Sequence, residues 1–134
     1  MRVAQPEAVD NYPYEPTAEE WQIVLYGDPE NDSRGGHMTG VGRQGKTETG
    51  PEWTATRFKS AIRQTIAHPD KLMMRGDALV RIKLVAGVIF RVETMPARRG
   101  RYRLVHAYPM NGDGVTMNTV GAAMPRPFDG SVLL

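Results

Sequence analysis

The spacing of apolar residues along the chain changes period, and each change marks a new element. Over 18–26, Trp21, Val24 and Leu25 recur at helical spacing. Thr17 stands just ahead and Glu20 follows three residues later. That is a capping box, in which the threonine caps the helix and the glutamate reaches back. The spacing predicts a short helix near 18–26. A second helix is predicted over 55–67, where Phe58, Ala61, Ile62 and Ile66 share one face and Arg57, Lys59 and Arg63 take the others. Thr54 caps it, and His68-Pro69 ends it because a residue before proline avoids the α region. The period then becomes two. "ALVRIKL", 78–84, places Val80, Ile82 and Leu84 on one face and Arg81 and Lys83 on the other. Ala86-Gly87 reads as a turn, and "VIFRVE" follows with Val88, Phe90 and Val92 aligned. "RYRLVHAY" is a third strand, expected to end at Pro109. "NGDG", 111–114, is a turn signal, and "VTMN" is a short fourth strand. Helices followed by an antiparallel β-meander give an α+β class.

The remaining stretches have no period. Residues 1–16, with Pro6, Pro13 and Pro16, read as a leader or linker, leaving 17–134 as one domain. Residues 27–53 are glycine-rich and polar, and a loop of that length in a small domain is expected to be either functional or disordered. "PARRGR", 96–101, is a basic loop between strands. Trp21 and Trp53 are expected in the core rather than as base-stacking platforms.

Composition adds three constraints. The chain has 134 residues, enough for one domain with one core. It has no cysteine, which excludes disulfides and thiolate zinc sites. No apolar run reaches the roughly 20 residues that a membrane span needs, and the start lacks the apolar region of a signal peptide. The net charge of +2 hides a split: residues 1–32 hold one base and eight acids, and residues 34–103 hold fifteen bases and five acids. A body that basic suits a polyanionic partner such as nucleic acid.

Candidate chemistry concentrates in the long loop. "GVGRQGKT", 40–47, fits the phosphate-binding pattern G-x-x-x-x-G-K-[ST]. Its context does not fit. A P-loop follows a buried strand and opens a helix, whereas "ENDSRGGHMT" precedes this stretch and Gly50-Pro51 soon follows it. Nucleotide hydrolysis is therefore set aside. Phosphate chemistry of another kind remains open. His37 can move a proton and Lys46 can stabilise charge on a pentavalent phosphorus. RNA carries its own nucleophile, the 2′-hydroxyl, so such cleavage requires no metal. No His or carboxylate cluster has metal-ligand spacing, and no cofactor is expected. Thr47 and Glu48 are expected to shape the loop, and His68 to end a helix rather than to catalyse.

The ordered segments resemble one family. "GGHMTGVGRQGKTETGPEW", 35–53, is similar to the bacterial EndoU nuclease domain, with its GGH motif and glycine-spaced G-K-[ST]-E segment ending in Pro and Trp. "LVAGVIFRVE" resembles that family's hairpin and "HAYPMNGDGV" its terminal [ST]-x-Y-P strand, so the likeness runs over about residues 20–118. The resemblance implies a barnase/EndoU-like RNase fold. It implies an endoribonuclease that needs no metal and leaves a 2′,3′-cyclic phosphate. The implied setting is the toxin domain of a secreted antibacterial effector, a monomer delivered into a target-cell cytoplasm. RNA, with tRNA one candidate, is the implied substrate, and a cognate immunity protein the implied partner. The implied catalytic residues are His37, Lys46 and Tyr108. Two positions depart from the family. Ile23 stands where an upstream histidine belongs, and His106 replaces a Ser or Thr two residues before the tyrosine. Period-two geometry puts His106 and Tyr108 on one strand face. His106 is therefore the expected second acid/base group, and a weakened or inactive domain that binds RNA or protein is the alternative. Expected substrate contacts are Thr47, Gly36, Arg43, Arg99 and Arg101. Arg98, Arg99, Arg101 and Arg103 could track an RNA backbone, dock an acidic immunity protein, or simply solubilise a hairpin.

Overall fold

The computed structural model describes residues 14–96 and 102–134. The first element is helix α1, Ala18–Tyr26. Its capping box is formed as the sequence predicts: the Glu20 amide donates to Thr17 Oγ1, and the Thr17 amide donates to Glu20 Oε1. Loss of such a cap costs about 1 kcal/mol. Thr17→Ala is therefore expected to lower unfolding free energy by about that amount in urea titrations, and Thr17→Ser to retain most of it. Residues 14–16, expected as the end of a linker, are tied to the helices. Tyr14 donates to Glu20 Oε1, and Glu15 pairs with Arg63 at 3.0 Å. The first thirteen residues of the expected leader lie outside the described residues.

Helix α2, Ala55–Ala67, starts at Thr54 and ends at His68, as expected. Phe58 and Ile62 from its apolar stripe are fully buried. The chain then enters a four-stranded antiparallel sheet whose strands lie side by side in chain order. Its strands are β2 Lys71–Arg75, β3 Ala78–Val85, β4 Val88–Pro96 and β5 Tyr102–Gly112. A smaller antiparallel sheet joins β1 Thr47–Glu48, β6 Thr116–Thr119 and β7 Ala122–Pro125 in the order β1-β6-β7. The α+β class is thus observed.

Both helices pack on one face of the main sheet. Trp21, Leu25, Phe58, Ile62, Phe90 and Val92 anchor that core. Trp53 and Phe58 each meet Phe90 edge-on, with ring centroids 5.3 and 5.6 Å apart. Both tryptophans are buried, as expected.

The opposite face of the sheet is covered as well, and this alters the reading of β3. Val80 and Ile82 are buried, but they join Ile89 in a second cluster against Met73, Met110 and the C-terminal Val132 and Leu133. Leu84, expected beside them, is exposed. Arg81, on the face read as polar, is fully buried, and its Nη1 donates to Thr94 Oγ1 at 3.1 Å. A strand covered on both sides has no solvent face, so alternation no longer separates inside from outside.

Pro109 does not end β5. The strand continues to Gly112, and Pro109 lies opposite Phe90 beside a register shift. Proline is tolerated here because β5 is the edge strand and the bulge removes the need for its missing donor.

Candidate functional site

The GGH stretch returns to the C-terminal end of α1 in a turn that only glycine permits. Gly35 has φ +77, and a Cβ there would lie 2.0 Å from the Ile23 carbonyl oxygen. Gly36, read as a substrate contact, donates its amide to the carbonyls of Ile23 and Val24 instead. This strap places the His37 ring over Tyr108, with centroids 5.6 Å apart and planes inclined by 26°.

The P-loop-like segment turns out to cradle an anion of its own. The Gly40 and Gly42 amides donate to Glu48 Oε1 and Oε2 at 2.9 and 2.7 Å. Asn118 Nδ2 donates to Oε2 of the same buried carboxylate at 2.8 Å. Glycines with positive φ thus aim their amides at Glu48, and the carboxylate pins the loop against β6. Glu48 shapes the loop, as expected. Thr47, the other residue assigned there, donates its hydroxyl to the Pro109 carbonyl and so ties the loop to β5.

Arg43, another expected substrate contact, is spent on structure. Its guanidinium donates to the carbonyls of Asp28, Asn31 and Arg34. Arg99 and Arg101 lie outside the described residues, as does the basic loop except Pro96.

Between the loop and the face of β5 lies a cleft of about 340 Å³. His37, Lys46, Thr47, His106 and Tyr108 all line it, together with Ile23 and Arg34. Five expected site residues from two distant parts of the chain are therefore brought together. Arg34 was not anticipated: its Nη1 lies 3.6 Å from Asp28, and its position in the cleft follows from the turn after α1. The Ile23 side of the wall is apolar, so no acid/base group stands where the family resemblance would place one.

The His37 ring is held in one tautomer. Nδ1 lies 2.6 Å from the Thr47 carbonyl oxygen, which can only accept, so Nδ1 carries the hydrogen and Nε2 keeps a free lone pair. Burial pushes its pKa down from 6.5 to about 4. The Thr47 carbonyl opposes that shift, while Lys46 and His106 add to it. His106 also titrates below its ordinary value, first because neighbouring protein desolvates it, then because Lys46, Arg75 and Arg91 are close. Glu93, directly across the sheet, pulls the other way. Both histidines are therefore neutral at pH 7 in the free protein.

No protein-family model, curated protein or solved structure matches this chain. The residues and their geometry carry the functional reading. Among the described residues, no group of three or more His, Asp or Glu side chains is placed to hold a metal ion.

Two further residues, neighbours of the cleft rather than part of its lining, escaped the sequence reading. Glu93 and Arg91 on β4 lie opposite His106 and Tyr108 on β5. In the sequence they look like the solvent side of an alternating strand. Only the β4–β5 register, which no local pattern fixes, shows them as neighbours of the histidine and tyrosine.

Proposed function

We propose that this protein is an endoribonuclease of the barnase/EndoU-like type. In the proposed reaction the 2′-oxygen attacks the adjacent phosphorus and the bond to the 5′-oxygen breaks. The products are a 2′,3′-cyclic phosphate and a 5′-hydroxyl. The observation that carries this reading is the convergence of His37, Lys46, His106 and Tyr108 on one cleft. His37 Nε2, with its free lone pair, takes the proton from the 2′-hydroxyl. His106, when protonated, gives a proton to the departing 5′-oxygen. Lys46 offsets the charge that builds on the phosphoryl oxygens. Tyr108 braces His37 and presents its hydroxyl to the substrate. The nucleophile belongs to RNA, so these side chains supply the acid, base and charge that the step requires.

An oligonucleotide with one ribose at the scissile position tests the chemistry. It is expected to be cut, and its all-deoxy counterpart to stay intact. Cleavage of the deoxy strand would contradict attack by a 2′-hydroxyl.

The pH dependence has a definite sign. His37 must be deprotonated, which holds above about 4. His106 must be protonated, which holds only below its pKa, itself under 6.5. The product of the two fractions is a bell. The profile of kcat/KM is therefore expected to peak between about 4 and 6.5 and to fall toward pH 8. A profile still rising at pH 8 would contradict these assignments.

The resemblance to EndoU toxin domains supports a wider setting. In it the domain is the monomeric warhead of a secreted antibacterial effector, acts in the target-cell cytoplasm and is silenced by an immunity protein. A chain without cysteine can unfold and refold during delivery without redox trouble. One observation favours a second reading. Ile23 lines the wall in place of an acid/base group, which suits a domain that binds RNA or protein with weakened or no catalysis.

A further inference from the structure

The sheet face that carries His106 and Tyr108 has two successive rows of side chains. One runs Met73, Val80, Glu93, His106 and the next runs Lys71, Ile82, Arg91, Tyr108. Neighbouring strands are about 4.8 Å apart, so Glu93 and Arg91 flank the candidate site directly.

Glu93 is an anchor. Its side chain is 2% exposed, and Arg75 donates both Nε and Nη2 to its Oε1, at 2.8 and 2.5 Å. Arg91 differs. Its side chain is 17% exposed, yet its nearest charged partner is Glu93 Oε2 at 3.8 Å, beyond hydrogen-bond distance. Its Nε is buried with no partner among the described residues. A guanidinium with five donors in a fixed fork is costly to hold away from water unless those donors are met. Two guanidinium groups on one carboxylate also leave a positive charge over. Arg75, 62% exposed, turns its remaining donors toward solvent.

We propose that Arg75 and Arg91, anchored by Glu93, form a second phosphate subsite, which holds the phosphate flanking the scissile one on a single-stranded nucleic acid. A phosphate oxygen pair matches guanidinium N–H donors, and here it would meet the outer Nη groups of Arg91 and Arg75, since the Arg91 Nε is out of reach of solvent. The subsite would set the enzyme against strands with several phosphates rather than lone nucleotides. This inference rests on the nuclease reading, because it places the subsite by reference to the cleft.

The test is binding of a short single-stranded DNA oligonucleotide, which lacks the attacking hydroxyl, measured across KCl concentrations. Each phosphate contact adds about 0.7 to the slope of log affinity against log salt for single strands. Arg91→Gln and Arg75→Gln are each expected to weaken binding and flatten that slope by about 0.7. Arg57→Gln, on the exposed face of α2 over Trp53, is expected to change neither. Arg75 is an exposed strand-end residue, so its variant keeps the test valid if Arg91→Gln fails to fold. Slopes unchanged in both subsite variants, or flattened equally by Arg57→Gln, would overturn the subsite. Flattened slopes without RNA cleavage would leave Arg75 and Arg91 as a phosphate-binding site on a binding domain and remove the nuclease reading. Cleavage with unchanged slopes would do the reverse.

Discussion

His37→Ala is expected to lower RNA cleavage by a factor of 10² to 10⁴ while the fold and RNA affinity are retained. That range is what one general base typically contributes. The arrangement around the ring argues for the full effect. Nδ1 is committed to the Thr47 carbonyl, which leaves Nε2 as the one basic nitrogen, and stacking on Tyr108 fixes the ring plane. Burial keeps the imidazole neutral down to about pH 4, so the base is available throughout the working range. The same variant would leave RNA retention by a pure binding domain almost unaltered. Single-turnover cleavage beside filter binding separates the two readings, and a His37→Ala protein with undiminished cleavage would remove His37 from the mechanism.

Glu48→Ala is expected to be the most damaging substitution in the loop, with about 3 kcal/mol lost from stability and cleavage reduced with it. The carboxylate is 6% exposed and accepts from two backbone amides and one side-chain amide. Its removal strands both glycine amides at once and leaves Asn118 Nδ2 with only its bond to the Arg43 carbonyl. Glu48→Gln is not expected to rescue, because its amide nitrogen would face donors where an oxygen now accepts. Lys46 and Thr47 stand immediately before Glu48, so release of the loop would withdraw two cleft residues together. Urea denaturation beside cleavage assays checks both parts. A Glu48→Gln protein as stable as the wild type would contradict the cradle.

How far the sequence revealed this structure depended on how local each cause was. Helices α1 and α2 were legible because Thr17, Glu20 and Thr54 act within one turn and the apolar stripes lie on single faces. Strand β2 was not. Its residues Leu72, Met73 and Met74 are consecutive and apolar, without alternation, and pair only because β3 lies beside them. Strand β7 is exposed throughout and carries no burial pattern to read. The face of β3 was misassigned because the C-terminal Val132 and Leu133 cover the second side of the sheet, which no short window shows. At the candidate site, His37 and Lys46 pointed to chemistry by residue type, whereas Tyr108 came from the family resemblance. Arg43 was chosen as a cation in a glycine-rich loop, but three carbonyls from 28–34 absorb it. The anion held by the glycine-rich loop was equally hidden, because it is the protein's own Glu48. Glu93 and Arg91 required the register.

The most direct test of the account is cleavage of RNA by the purified protein in EDTA, with 3′ ends analysed, beside His37→Ala and His106→Ala. The account predicts 2′,3′-cyclic phosphate ends from the wild type and loss of cleavage in both variants. Loss in His37→Ala alone would contradict the role given to His106. No cleavage by the folded wild type would contradict the central claim and favour a binding domain whose cleft has Ile23 where a catalytic group is missing.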